Sequence, residues 1–107
     1  MEEFKNKNVV ITGASRGIGL SIGKKLASHG ANIAILAKTD LPNPKLPGTI
    51  YTAAEEIKSY GVKSIAIKTD IRFEDQIQSA INEVIEKLGS IDILVNNASA
   101  ISLFNSE

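Results

Sequence analysis

Apolar residues along the chain fall into two patterns, and the two patterns predict different elements. Short apolar runs rich in β-branched residues lie at positions 9–11, 32–37, 63–68 and 91–95. Such runs are typical of strands that a parallel sheet buries on both faces. Between them, apolar residues recur every three or four positions, and each helical stretch ends at a glycine, at position 30, 61 or 89. The predicted order of elements is therefore βαβαβαβ.

The helical stretches are marked in different ways. The third, residues 73–88, has one apolar stripe and a charged face that water solvates without any ligand. The second begins at Thr49, a residue type that caps helix N-termini, and runs to Tyr60. Residues 39–48 before it contain all three prolines, which predicts a loop. The only histidine, His29, falls in the last turn of the first helix, where the helix dipole favours a cation.

A glycine-rich turn joins the first strand to the first helix, with glycine at 13, 17 and 19. Backbone N–H groups can approach a pyrophosphate where no Cβ intervenes, and the helix N-terminus adds a partial positive charge. A strand before the turn and a helix after it are the context that a dinucleotide site requires. A turn of this kind without a ligand is the alternative. The residues that would line the phosphate site are Gly13, Ala14, Ser15, Arg16, Gly17, Ile18 and Gly19.

The turn Thr-Gly-Ala-Ser-Arg-Gly-Ile-Gly, residues 12–19, closely resembles the cofactor loop of the short-chain dehydrogenase/reductase family. Asn-Asn-Ala-Ser at 96–99 resembles the family's Asn-Asn-Ala-Gly segment, with Ser99 in place of glycine. The stretch 38–57 further resembles a hydroxysteroid dehydrogenase-like subgroup, whose longer members carry a sterol-carrier-like domain after the reductase domain. The resemblance implies hydride exchange between a nicotinamide cofactor and a carbonyl or secondary alcohol, with a lipid-like small molecule as the substrate.

The fold class that these observations predict is α/β, a Rossmann-type doubly wound parallel sheet. Strand order should be 3-2-1-4, with the first two helices on one face of the sheet and the third on the other. Only the first βαβαβαβ portion is present, so residues 1–107 read as an incomplete cofactor-binding part of one domain. An open sheet this small is expected to be marginally stable on its own.

The residue after the second strand bears on which cofactor binds. In dinucleotide folds an acidic residue here accepts hydrogen bonds from the ribose 2′-hydroxyl, whereas a basic one accommodates a 2′-phosphate. Ala37 occupies the acidic position and Lys38 follows, and Arg16 is a second cation within the turn. The pattern favours NADP over NAD. Two solvated surface cations are the alternative, and Asp40 is a competing ribose acceptor.

Polar residues also follow the third and fourth strands. By resemblance, Asp70 holds the adenine amino group with help from the following backbone amide, and Asn97 with Ala98 lies near the cofactor ribose. Asp70 is also a residue type that forms turns and helix caps, and the two roles are compatible. For the asparagine pair the alternative is a simple side-chain turn.

The catalytic residues that the resemblance implies are missing from this chain. The family uses a tyrosine, a lysine four positions later and a serine, but Glu55 and Ser64 stand four positions after Tyr51 and Tyr60. No catalytic residue is therefore assigned. Two functions remain open: the cofactor part of an oxidoreductase, or an inactive nucleotide-binding or interaction module.

The composition argues against nucleic acid, membranes and thiolate-bound metals as partners. The formal net charge is +0, so no overall field attracts nucleic acid or an anionic membrane, and no apolar stretch reaches membrane-spanning length. Cysteine is absent, which excludes disulfides and thiolate metal sites, and we assign no metal. With no secretory signal at the N-terminus, the expectation is a soluble intracellular protein; the resemblance adds the peroxisome and the mitochondrion as compartments. The oligomeric state is left unassigned.

Overall fold

Four parallel strands alternate with three helices, as the hydrophobic pattern predicts. The computed structural model describes residues 3–13, 17–38 and 49–97. Its elements are β1 Asn8–Thr12, α1 Gly17–Ser28, β2 Asn32–Ala37, α2 Ile50–Lys58, β3 Ser64–Lys68, α3 Glu74–Leu88 and β4 Ile93–Asn96. The strands form one sheet in the order β3-β2-β1-β4, and every neighbouring pair is parallel. The predicted doubly wound order, 3-2-1-4, is confirmed.

The two faces of the sheet carry separate hydrophobic cores because side chains alternate along each strand. Val9 and Ile11 of β1 point to the face that α1 and α2 cover, where Ile57 of α2 is fully buried. Val10 points to the opposite face and packs with Val84 of α3. The helices therefore lie on the faces that the doubly wound rule assigns to them.

Polar residues extend β1 and β4 beyond the predicted strand ends, and β4 also begins later than predicted. β1 is one residue longer at each end, through Asn8 and Thr12, both of which are buried. β4 begins at Ile93 instead of position 91 and continues to Asn96, which pairs with Thr12. A hydrophobic pattern cannot register these positions, since their side chains are polar although their backbones belong to the sheet.

A chain of side-chain hydrogen bonds crosses the amino edge of the sheet. Asn8 Nδ2 donates to the Leu88 carbonyl at 3.2 Å and to Ser90 Oγ at 3.1 Å. Asn8 Oδ1 accepts from Asn32 Nδ2 at 3.0 Å, and Asn32 Oδ1 accepts from the Lys63 backbone N–H at 3.0 Å. This network, the amino-edge network, connects β1 with β2, with the residue before β3 and with the end of α3.

Helix ends follow the expected chemistry in part. Thr49 caps α2 as predicted: its side chain accepts from the Thr52 N–H, and the Thr52 hydroxyl accepts from the Thr49 N–H. α1 ends at Ser28, so His29 follows the helix, and its ring packs edge-on against Phe4. Within the described ranges, none of the helices has the length and apolar character needed to cross a membrane.

Candidate functional site

The candidate residues that the structure describes converge on the carboxyl edge of the sheet. Gly13 follows β1, Lys38 follows β2, Asp70 lies two residues beyond β3, and Asn97 follows β4. Because all four strands are parallel, their carboxyl ends meet at one edge. β1 lies between β2 and β4, so the connections place β2 and β3 on one side of β1 and β4 on the other. Such a reversal point is where open α/β sheets bind ligands.

Gly13 and Gly17, which flank residues 14–16 between β1 and α1, have backbone conformations that glycine permits. Gly13 has φ 73° and Gly17 has φ 67°, both in the left-handed region. The Gly13 N–H donates to the Leu36 carbonyl at 2.9 Å, which fixes the start of the turn against β2. A Cβ on Gly17 would meet no described atom within 4 Å, so this position requires glycine for its conformation and leaves open space beside the helix start.

The first turn of α1 begins at this glycine turn. Gly17 and Ile18 are exposed and Gly19 is buried, and no acidic residue lies in the first helical turn. The leading N–H groups of a helix lack partners within the helix and carry a partial positive charge. An anion at this place would therefore meet backbone donors without a competing carboxylate from the same turn. The candidates Ala14, Ser15 and Arg16 lie outside the described residues.

Asn97 connects the end of β4 to the end of β1. Its backbone N–H donates to Thr12 Oγ1 at 2.9 Å, and its side-chain Nδ2 donates to the Gly13 carbonyl at 3.4 Å. The Thr12 hydroxyl in turn donates to Asn96 Oδ1 at 3.2 Å. Thr12 was not among the candidate residues, although a threonine directly before the first glycine is a signal that sequence offers. Ala98 lies outside the described residues.

Lys38 and Asp70 occupy neighbouring strand ends. The Thr69 N–H donates to the Ala37 carbonyl at 2.8 Å, which holds the end of β3 against the end of β2. Lys38 is exposed, and its charge contributes to lowering the pKa of Asp70. The two side chains therefore belong to one charged cluster at the carboxyl edge.

Asp70 is held by a residue that sequence reasoning missed. Its Oδ1 accepts from the Arg72 backbone N–H and from Arg72 Nε, each at 3.0 Å, while Oδ2 accepts from Arg72 Nη2 at 2.7 Å. These hydrogen bonds from Arg72 hold the pKa of the carboxyl well below its usual range, and the nearby Lys38 adds a smaller effect in the same direction. The predicted turn role of Asp70 is confirmed, since its Oδ1 accepts from the N–H two residues later.

Arg72 and the backbone of Asp70 have further contacts on α3. The Arg72 guanidinium carbon lies 5.6 Å from the centroid of the Phe73 ring, within the range of a cation–π contact. The Asp70 N–H donates to Gln76 Oε1 at 2.8 Å. The Asp70 side chain is 15% exposed, whereas that of Arg72 is 61% exposed. A basic residue two positions after an acidic one, in a strand-to-helix turn, is the sequence signal that makes such a pair possible, although the spacing does not specify the contact.

The described part of the chain holds no metal cluster, and its two tyrosines lie on α2 or just after it. It contains no group of three or more histidine, cysteine or carboxylate side chains able to hold a metal ion. Tyr60 lies between α2 and β3, at the opposite, amino edge of the sheet, and Tyr51 is half-exposed on α2.

Comparison with known proteins places this geometry in a family. The family model described as short chain dehydrogenase matches residues 7–107. The chain belongs to the short-chain dehydrogenase family. It is 63% identical over 98 residues to hydroxysteroid dehydrogenase-like protein 2 of Bos taurus, a match that covers 92% of this chain and 23% of that protein. The resemblance to hydroxysteroid dehydrogenase-like proteins is thereby confirmed, and the chain spans about a quarter of the length of these relatives.

Solved structures of the same family share the fold. A short chain dehydrogenase from Mycobacterium thermoresistibile matches with a TM-score of 0.87 and 51% identity, over 92% of this chain and 35% of that one. An NAD⁺-bound xylitol dehydrogenase matches with a TM-score of 0.78 and 29% identity, over 90% of this chain and 34% of that one. Family members use nicotinamide cofactors, NAD or NADP, and act on small molecules.

Proposed function

We propose that this chain is the cofactor-binding part of an NADP-dependent short-chain oxidoreductase. The observation that carries the proposal is the left-handed backbone of Gly13 and Gly17 between β1 and α1, at the point where the strand order of the parallel sheet reverses. The bound nicotinamide would exchange a hydride at C4 with a carbonyl or secondary alcohol. The substrate class, a lipid-like small molecule, follows from the likeness to hydroxysteroid dehydrogenase-like proteins.

The glycine turn and the first turn of α1 fit a pyrophosphate. Gly13 and Gly17 both have left-handed backbone conformations, and the absence of a first-turn acid leaves the helix dipole uncompensated there. Residues 13–19 would therefore supply backbone donors to the two phosphates. Asn97, attached to Thr12 and Gly13, would hold the neighbouring ribose together with Ala98.

Lys38 supports NADP as the cofactor. It is exposed directly after β2, and Ala37 stands where an acid would otherwise bind the ribose hydroxyls. Lys38 and Arg16 would contact the 2′-phosphate, and Asp70 would accept a hydrogen bond from the adenine amino group. Family members use NAD or NADP, and the xylitol dehydrogenase with 29% identity is bound to NAD⁺, so the preference of this chain for NADP rests on its own residues.

The chemical step requires residues beyond this cofactor part. A tyrosine with a lysine four positions later, and a serine, would have to come from another segment of the same polypeptide. Residues 1–107 would then be one part of a single larger domain. Sequencing the coding region around this chain tests the point: a Tyr-x-x-x-Lys segment supports the oxidoreductase, whereas its absence favours an inactive nucleotide-binding module.

Fluorescence titration tests the cofactor assignment. NADPH and NADH are titrated separately into the full polypeptide that carries this chain, and NADPH is expected to bind at least about tenfold more tightly, since a charge-assisted contact is worth that much or more. Lys38→Asp should reverse the preference toward NADH. The matched control is Lys63→Asp, the same charge change at the opposite edge of the sheet, which should leave the ratio unchanged. Equal affinities before and after Lys38→Asp would refute the 2′-phosphate assignment.

A further inference from the structure

Arg72 donates different numbers of hydrogen bonds to the two carboxylate oxygens of Asp70. An ionised carboxylate has about four lone-pair sites, two on each oxygen. Oδ1 already accepts from two Arg72 donors, the backbone N–H and Nε. Oδ2 accepts from one, Nη2. Among the described residues, the acceptor site that remains on this carboxylate therefore belongs to Oδ2.

The Arg72 side chain that makes these contacts is itself held in place. Its guanidinium forms two parallel hydrogen bonds with the carboxylate, at 3.0 and 2.7 Å, and lies against the Phe73 ring. A paired arrangement of this kind fixes the plane of both groups, which a single contact does not do. The backbone of Asp70 is fixed separately by Gln76. The carboxylate plane is thus set by Arg72 and the backbone position is set by α3.

We propose that Arg72 is the positioning residue for base recognition, because it turns Asp70 so that only Oδ2 is available to the amino group of an adenine. The inference rests on the proposed function, in which Asp70 accepts from that amino group. Arg72 does not contact the base in this proposal; it selects which carboxylate oxygen does. A carboxylate fixed in this way accepts a hydrogen bond from the amino group of adenine and repels the carbonyl oxygen that replaces it in hypoxanthine.

The inference predicts discrimination between two cofactors that differ at one position. NADPH and its hypoxanthine analogue are titrated by calorimetry into the full polypeptide that carries this chain, so the readout is binding and not turnover. The wild-type protein should prefer the adenine form by about tenfold or more, the usual effect of a hydrogen bond to a charged group. Arg72→Ala should reduce the preference to within about threefold, because the variant keeps the backbone N–H bond to Oδ1 but loses both guanidinium bonds that fix the carboxylate plane. Arg72→Lys should restore only part of it, since an ammonium group cannot form the paired contact.

Two further variants complete the test. Lys87→Ala removes a half-exposed cation that pairs with Glu83 near the far end of α3, so it should leave the preference at its wild-type value. Asp70→Asn should abolish the preference, because the amide can turn a donor toward the hypoxanthine carbonyl.

The outcomes separate the inference from the proposed function. If the wild-type protein prefers adenine and Arg72→Ala keeps that preference, or weakens both cofactors equally, the positioning role of Arg72 is wrong and the role of Asp70 stands. If the wild-type protein and Asp70→Asn both bind the two cofactors equally, Asp70 does not recognise the base, and both proposals for this edge fail.

Discussion

Replacing Asn8 by alanine tests whether the amino-edge network holds the strands in register. Asn8 is only 6% exposed, and its side chain makes three hydrogen bonds, to the Leu88 carbonyl, Ser90 Oγ and Asn32 Nδ2. The alanine variant loses all three and leaves the Leu88 carbonyl and the Asn32 amide without these partners at a partly buried edge. At roughly 1 kcal/mol for each hydrogen bond, the free energy of unfolding should fall by about 2–4 kcal/mol.

The assay is urea denaturation of the full polypeptide that carries this chain, followed by circular dichroism. The matched control is Asn82→Ala, which removes a single hydrogen bond from Gln78 on the exposed face of α3 and should change the free energy by less than about 0.5 kcal/mol. Equal shifts of the urea midpoint in the Asn8 and Asn82 variants, at unchanged slope, would refute the structural role of the network.

Four further outcomes are expected. Gly17→Ala should cost about 1–2 kcal/mol of stability, measured by thermal unfolding, because the residue has φ 67°, and should weaken NADPH binding. Thr12→Val should also weaken NADPH binding, measured by fluorescence, while Thr12→Ser should not, because only valine lacks the hydroxyl that accepts from the Asn97 N–H. Arg72→Ala should raise the pKa of Asp70 toward its usual value, as read from a carboxyl-carbon NMR titration. The stabilisation from this pair is present above about pH 4 and is lost as the pH falls through the lowered pKa, so the variant should lose less stability than wild type upon acidification. The chain produced alone should show no sharp unfolding transition, because one face of its open sheet is covered by a single helix.

The sheet and its helices could be predicted because their signals are periodic and local. The run at 32–37 matches β2 at both ends. Thr49 caps the start of α2 and Gly89 caps the end of α3, as expected. Strand order followed from the handedness of parallel connections, which needs no knowledge of individual side chains. The polar strand ends, Asn8 and Asn96, were missed because they join the sheet through backbone pairing that hydrophobicity does not reveal.

In the candidate site too, some residues could be predicted from the sequence and one could not. Gly13, Lys38 and Asn97 each stand directly after a strand, at the end of the sheet where parallel sheets bind ligands. The glycine spacing selected Gly13, the position after the second strand selected Lys38, and the family resemblance selected Asn97. Arg72 follows its strand at a distance and reaches Asp70 only because the turn before α3 folds its side chain back, a contact that spacing alone does not specify.

The contact between Arg72 and Asp70 explains how Asp70 and Lys38 can lie at the same edge of the sheet. Sequence alone puts an acid, Asp70, near the cation Lys38, and a direct pair between them would weaken the attraction of Lys38 for a phosphate. In the structure both oxygens of Asp70 accept hydrogen bonds from Arg72 instead. The carboxylate is therefore paired from the side of α3 and does not depend on Lys38 for a partner. The proposed roles, an acid that accepts from the base and a cation that binds the 2′-phosphate, are compatible because Arg72 pairs with the acid.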